Sequence, residues 1–166
     1  MARLREKYDL HYILCGTGSD LDFLQKLTRR LHLQDRVHFV GYRTDIPNFL
    51  GAADIFCYPA KQGNDCITVQ KAAAAGLPII SARCPGMKWY AERELFEPIS
   101  LKGDMVDTCA AAITKLIEDK LLQKQMGAVN RTQAKKFDRD DNKQEESYEI
   151  LRRNHYFPTV EHIKAK

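Results

Sequence analysis

Asp54-Ile55-Phe56-Cys57-Tyr58-Pro59-Ala60-Lys61-Gln62-Gly63-Asn64-Asp65-Cys66, continuing Ile67-Thr68-Val69-Gln70-Lys71-Ala72-Ala73-Ala74-Ala75-Gly76-Leu77-Pro78-Ile79-Ile80, decides the fold of this chain. A short apolar strand is followed by a polar loop, an alanine-rich helix, a glycine stop and a second apolar strand. Neither strand alternates apolar with polar residues, as expected where helices cover both faces of a parallel sheet. Asn64 or Asp65 suits the cap of the helix. The remaining free N–H groups of its first turn then face outward with the positive end of the helix dipole. At the carboxyl edge of a parallel strand such an end is a ready anion site. Gly76 suits the left-handed position that closes a helix, and Pro78 prevents its continuation.

The same rhythm extends in both directions. Residues 1–8 are charged and read as the end of a truncated helix. Asp9 to Cys15 is a strand running into Gly16-Thr17-Gly18-Ser19-Asp20, with Ser19 or Asp20 as cap for a helix carrying Leu21, Leu24, Leu27 and Leu31 at helical spacing. Arg36 to Val40 is the next strand, ending at Gly41-Tyr42-Arg43. Thr44-Asp45-Ile46-Pro47 starts another helix, with Pro47 in its first turn. Leu95-Phe96-Glu97-Pro98 is the last short strand. From Asp104 the pattern is helical up to Pro158, with Val106, Ala110, Ile113, Leu116 and Ile117 on one apolar face and Leu121, Leu122 and Met126 beginning another. These alternations predict an α/β fold. A Rossmann-like parallel sheet with helices on both faces spans 9–102, C-terminal helices occupy 103–155, and a tail covers 156–166.

Composition narrows the function. The 166 residues suffice for one well-buried domain with a helical appendage, and a net charge of +4 spread over dispersed Lys and Arg carries no nucleic-acid signature. Five cysteines, odd in number and without paired metal spacing, fit a reducing cytosol. The five histidines form no ligand pair, so no metal site is expected. No apolar run approaches a membrane span and no signal peptide opens the sequence, which predicts a cytoplasmic protein without a transmembrane segment. Peripheral membrane contact stays open. Gly16-Thr17-Gly18 invites a dinucleotide reading, but Leu21 stands where the third glycine would fall, so a tight strand-to-helix turn is the better one.

The ordered series Leu14-Cys15-Gly16-Thr17-Gly18, Leu33 through Tyr42, Asp45 through Leu50, Ala53 through Pro59 and Ala74-Ala75-Gly76-Leu77-Pro78-Ile79-Ile80 resembles one known family. Leu95-Phe96-Glu97-Pro98, Met126-Gly127, Asn130-Arg131, Phe137-Asp138 and Tyr148 extend the match. The resemblance is to the C-terminal, donor-binding half of GT-B glycosyltransferases of the group 1 type, N-terminally truncated. It implies a nucleoside-diphosphate sugar as donor substrate, no cofactor and no metal. It also implies an N-terminal Rossmann-like half, in the same or another chain, as partner in sugar transfer to an acceptor hydroxyl. Gly63, Asn64, Asp65, Cys66, Ile67 and Thr68 would hold the diphosphate, and Gly41, Tyr42 and Arg43 would flank the base. Lys71 would take the ribose or phosphate position, and Gly16 completes the set.

Two departures accompany the resemblance. The family places one glutamate in the loop and another eight residues later in the helix, and those positions are Gly63 and Lys71 here. Gln62 and Gln70 lie one residue off register and carry no charge. No catalytic residue is therefore assigned, and the isolated chain is expected to be inactive. The rivals are a non-catalytic interaction module that keeps the half fold, and a sugar-nucleotide epimerase half.

Overall fold

The computed structural model describes residues 1–60, 67–84, 90, 95–100 and 103–140, the last five by backbone alone. The elements in chain order are β1 (Tyr12–Cys15), α1 (Leu21–Arg30), β2 (Val37–Gly41), α2 (Ile46–Ala52), β3 (Phe56–Tyr58) and α3 (Ile67–Ala75). They continue with β4 (Ile79–Ala82), β5 (Glu97–Ile99), α4 (Met105–Glu118) and α5 (Lys120–Asp140). The α/β alternation expected from the sequence is present, and helices follow it up to Asp140, while the rest of the expected helical region to 155 and the tail over 156–166 lie outside the described residues.

Every ladder is parallel. β1 pairs with β2, Tyr12 opposite Val37 and Leu14 opposite Phe39, with a bulge before Cys15 that brings it opposite Gly41. β3 pairs with β4 and β4 with β5, through Cys57 opposite Ile80 and Ser81 opposite Pro98. Among the described residues these are two ladders, β1-β2 and β3-β4-β5, rather than one continuous sheet. Pro98 has no N–H to donate, which suits a strand with a neighbour on one side only.

The core is built around β4, whose four residues are fully buried. Alternation along the strand splits them between two layers. Ile79 packs with Val69 and Ala73 of α3 and with Tyr90, Leu95 and Phe96. Ile80 and Ala82 pack with Ile99 and with Ala112 and Leu116 of α4. Helices thus cover both faces of this sheet. Ser81 resolves its buried hydroxyl by reaching the Tyr58 carbonyl at 3.1 Å. By contrast β1 is half-exposed, Ile13 keeps 42% of its surface, and α1 buries none of its residues completely.

Local chemistry sets the element ends. α3 closes in a Schellman turn: Gly76, at φ +78°, donates to the Ala73 carbonyl and Leu77 donates to that of Ala72. Asp104 caps α4, its Oδ1 accepting from the amides of Val106 at 2.9 Å and Asp107 at 3.2 Å. Asp20 precedes α1 without making a side-chain cap bond, contrary to the expectation from sequence. The C-terminal helical run is interrupted at Asp119, whose Oδ1 accepts from Leu122 N–H at 2.8 Å and so starts α5 afresh. Residues 1–7 form hydrogen-bonded turns. Arg3 reaches Asp107 at 3.2 Å, and Lys7 and Tyr8 share Glu118, which fastens these turns along α4.

α5 then returns across α3. Asn130, fully buried, donates to the Leu77 carbonyl at 2.8 Å, and Arg131 donates to the Ala75 carbonyl at 2.8 Å. A Cβ on Gly127 would lie 2.2 Å from the Gly76 oxygen, so only glycine lets the two backbones meet at this spacing.

Candidate functional site

In a parallel ladder all carboxyl ends lie at one edge, and the loops that leave them converge there. Gly16 follows β1 and Gly41 ends β2, and the Gly16 amide donates to the Gly41 carbonyl at 2.7 Å. Both adopt positive φ, +137° and +68°, which only glycine takes without strain. Tyr42 and Arg43 follow at once, with Tyr42 68% exposed. These four predicted site residues form one group.

Arg43 is already engaged. Its Nε and Nη2 each meet an Asp45 carboxylate oxygen at 2.8 Å in a bidentate pair, and its guanidinium lies 5.2 Å from the Phe49 ring centroid. The hydrogen bond from Arg43 holds the exposed Asp45 carboxyl below its ordinary range. Asp45 and Phe49 were not among the residues expected at the site. An Arg and an Asp two positions apart are too common for their spacing to announce such a pair. An incoming phosphate would have to compete with Asp45 for the guanidinium fork.

The second group lies at the start of α3, directly after β3 and its exit through Tyr58 and Pro59. Ile67 is half-buried, whereas Thr68 and Lys71 are exposed on the helix surface. Gly63, Asn64, Asp65 and Cys66 lie outside the described residues. No hydrogen bond, ion pair or ring contact among the described residues joins the α3 group to the Gly16–Arg43 group. Nor do the described residues gather three or more His, Cys, Asp or Glu side chains of the kind that could hold a metal ion.

The fold that presents these groups is matched elsewhere. Residues 1–133 match the family model of glycosyl transferases group 1. The chain belongs to that family. A lipopolysaccharide core biosynthesis glycosyltransferase, LpsD of Rhizobium meliloti (strain 1021), is 33% identical over 128 residues, covering 75% of this chain and 36% of the relative. Among solved structures, the lipopolysaccharide biosynthesis glycosyltransferase WaaG superposes with a TM-score of 0.67 at 22% identity, over 75% of this chain and 34% of WaaG. Anabaena HepE in complex with UDP and glucose gives a TM-score of 0.68 at 22% identity, over 81% of this chain and 38% of HepE. At those identities the structural matches speak for the GT-B fold alone. The group 1 chain described here spans about a quarter to a third of the length of the curated relatives it matches.

Proposed function

We propose that this chain is the donor-binding half of a group 1 glycosyltransferase, which seats a nucleoside-diphosphate sugar at the carboxyl edge of its parallel strands. The observation that carries the reading is the order at that edge. A glycine pair in contact, Gly16 and Gly41, sits beside Tyr42 and Arg43, and a helix start follows β3. Tyr42 and Arg43 offer a stacking face and a cation to the base side of the nucleotide. The start of α3 at Ile67 and Thr68 offers the positive end of the helix dipole to the diphosphate, with Gly63, Asn64, Asp65 and Cys66 preceding it in sequence and Lys71 one turn further along. The HepE complex with UDP and glucose, on the same fold, fits a UDP-sugar as donor. The LpsD likeness fits glycan or lipopolysaccharide synthesis as the pathway class.

The complete enzyme passes the sugar to an acceptor hydroxyl with departure of the nucleoside diphosphate. Its acceptor side comes from an N-terminal Rossmann-like half, and the half-exposed β1 leaves apolar surface for further protein to cover. Gly63 and Lys71 stand where the family carries carboxylates, so this chain binds its donor weakly and transfers nothing by itself. Expected affinity is about millimolar or weaker, roughly 4 kcal/mol or less. The test is a titration with UDP and with GDP followed through backbone amide shifts. Movement at residues 41–43 and 63–68 is expected for one of them. Unmoved amides at both segments would discard the donor site and favour a non-catalytic interaction module.

A further inference from the structure

Cys57 on β3 and Cys109 on α4 face each other across the layer between sheet and helix, with their sulfurs 3.8 Å apart. Both are half-buried beside Ile80, Ala112 and Leu116, and neither belongs to the proposed donor site. At this separation one thiol hydrogen-bonds the other sulfur. The bond from Cys57 stabilises the Cys109 thiolate and lowers its pKa, while the same bond and burial raise that of Cys57. One sulfur is thus poised as a nucleophile and the other as its resolving partner. The remaining described cysteines lack this arrangement: Cys15 is exposed, and Cys84 is buried in the opposite layer.

We propose that Cys57 and Cys109 form a reversible disulfide site that reacts with low-molecular-weight disulfides of the glutathione class and ties β3 to α4. In the first step the Cys109 thiolate attacks one sulfur of the reagent, RSSR. A mixed disulfide forms on Cys109 and one RS⁻ departs, to be protonated by water. In the second step Cys57 loses its proton to solvent and attacks the Cys109 sulfur, expelling the second RS⁻. The protein gives up two protons and two electrons, and the reagent is reduced to two RSH. Side-chain rotation must bring the sulfurs from 3.8 Å to the bonded separation of about 2.05 Å. Cys57 lies one residue before Tyr58, the last residue of β3, so the crosslink anchors the carboxyl end of that strand.

The experiment equilibrates the full chain in a series from reduced to oxidised glutathione, quenches with acid, alkylates free thiols and maps peptides by mass. A species lacking two hydrogens, with the peptides of Cys57 and Cys109 joined, is expected. It should show a Tm about 5–10 °C above the reduced chain, and dithiothreitol should reverse both changes. Cys109→Ser should abolish the joined peptide and leave glutathione adducts alone. Glutathione adducts without the internal link in the parent chain, a link between other cysteines, or no reaction up to fully oxidised glutathione would each overturn the proposal. The peptide map of the parent chain decides the matter even if the variant fails to fold.

Discussion

Gly127→Ala tests whether the C-terminal helix is locked to the turn that ends α3. In an exposed helix this substitution is favourable, because alanine loses less backbone freedom than glycine, by about 0.5–1 kcal/mol. At position 127 the added Cβ would stand 2.2 Å from the Gly76 carbonyl oxygen and 3.2 Å from its carbon. That oxygen cannot swing aside, since Gly76 is held at φ +78° by the Schellman bonds to Ala72 and Ala73. α5 must instead retreat by about 1 Å to restore ordinary contact, which is an overpacking strain of about 1–3 kcal/mol. The retreat also stretches the 2.8 Å bonds from Asn130 to Leu77 and from Arg131 to Ala75. A buried amide left without its partner adds about 1–3 kcal/mol. Net of the propensity gain, Gly127→Ala should destabilise the fold by about 1–5 kcal/mol. Gly51→Ala is the control, because that glycine in α2 is exposed and has nothing within 4 Å of its added Cβ. It should be neutral or stabilising by up to about 1 kcal/mol. Urea unfolding followed by circular dichroism reads both. Equal or greater stability of Gly127→Ala relative to the parent would refute the locked contact.

Two further outcomes follow from the same geometry. Burial pushes the Tyr12 phenol up from 10.0 to about 12, with the nearby Cys57 and Cys109 adding to the shift. The raised pKa means that its stabilising contribution is complete below about pH 10 and is lost as pH climbs from 10 to 12, by at most about 2–3 kcal/mol. Tyr12→Phe should flatten that alkaline limb in a stability–pH series, and an identical limb in both proteins would remove Tyr12 as its cause. Lys71→Glu supplies an acceptor for the two ribose hydroxyls, so it should strengthen a complete nucleotide relative to its dideoxy analogue by about 1.5–3 kcal/mol. An unchanged ratio between the two ligands would take residue 71 out of the ribose site.

Much of this architecture was legible because its signals are local. The α3 stop was readable from Gly76-Leu77-Pro78, since a left-handed glycine and a following proline leave the helix no continuation. Strands expected at Arg36–Val40 and within Asp54–Tyr58 occur at Val37–Gly41 and Phe56–Tyr58. The last strand begins two residues later than expected, at Glu97. Leu95 and Phe96 are apolar because they enter the core beside α3, not because they join a ladder. The second apolar face that begins at Leu121, Leu122 and Met126 coincides with α5, which starts at Lys120, whereas the cap at Asp119 was unreadable because a lone Asp rarely announces one. Division into two ladders was also unreadable, since strand sequences carry no marker of which edges stay unpaired. At the candidate site the glycines Gly16 and Gly41 were evident from their place after strands. The capture of Arg43 by Asp45 and Phe49 depends on side-chain rotation within the loop, which has no sequence period. Cys57 and Cys109 lie 52 positions apart and meet only because α4 packs against the face of the β3-β4-β5 ladder.

α3 serves both the candidate site and the packing of the C-terminal helix because its ends do different things. Its first turn faces the edge where the donor diphosphate is proposed to sit, and its last turn is clamped by Gly127, Asn130 and Arg131 of α5. A dipole and a row of N–H groups help an anion only if the helix is already fixed in direction, since reorienting it would consume the electrostatic gain. The alanines of α3 make that fixing achievable. Ala72 and Ala73 are fully buried, and they let neighbouring elements approach closely while favouring the helix itself. The glycine pair at positions 76 and 127 completes the approach at the other end. Residues that carry no donor chemistry of their own therefore determine where the proposed anion site points.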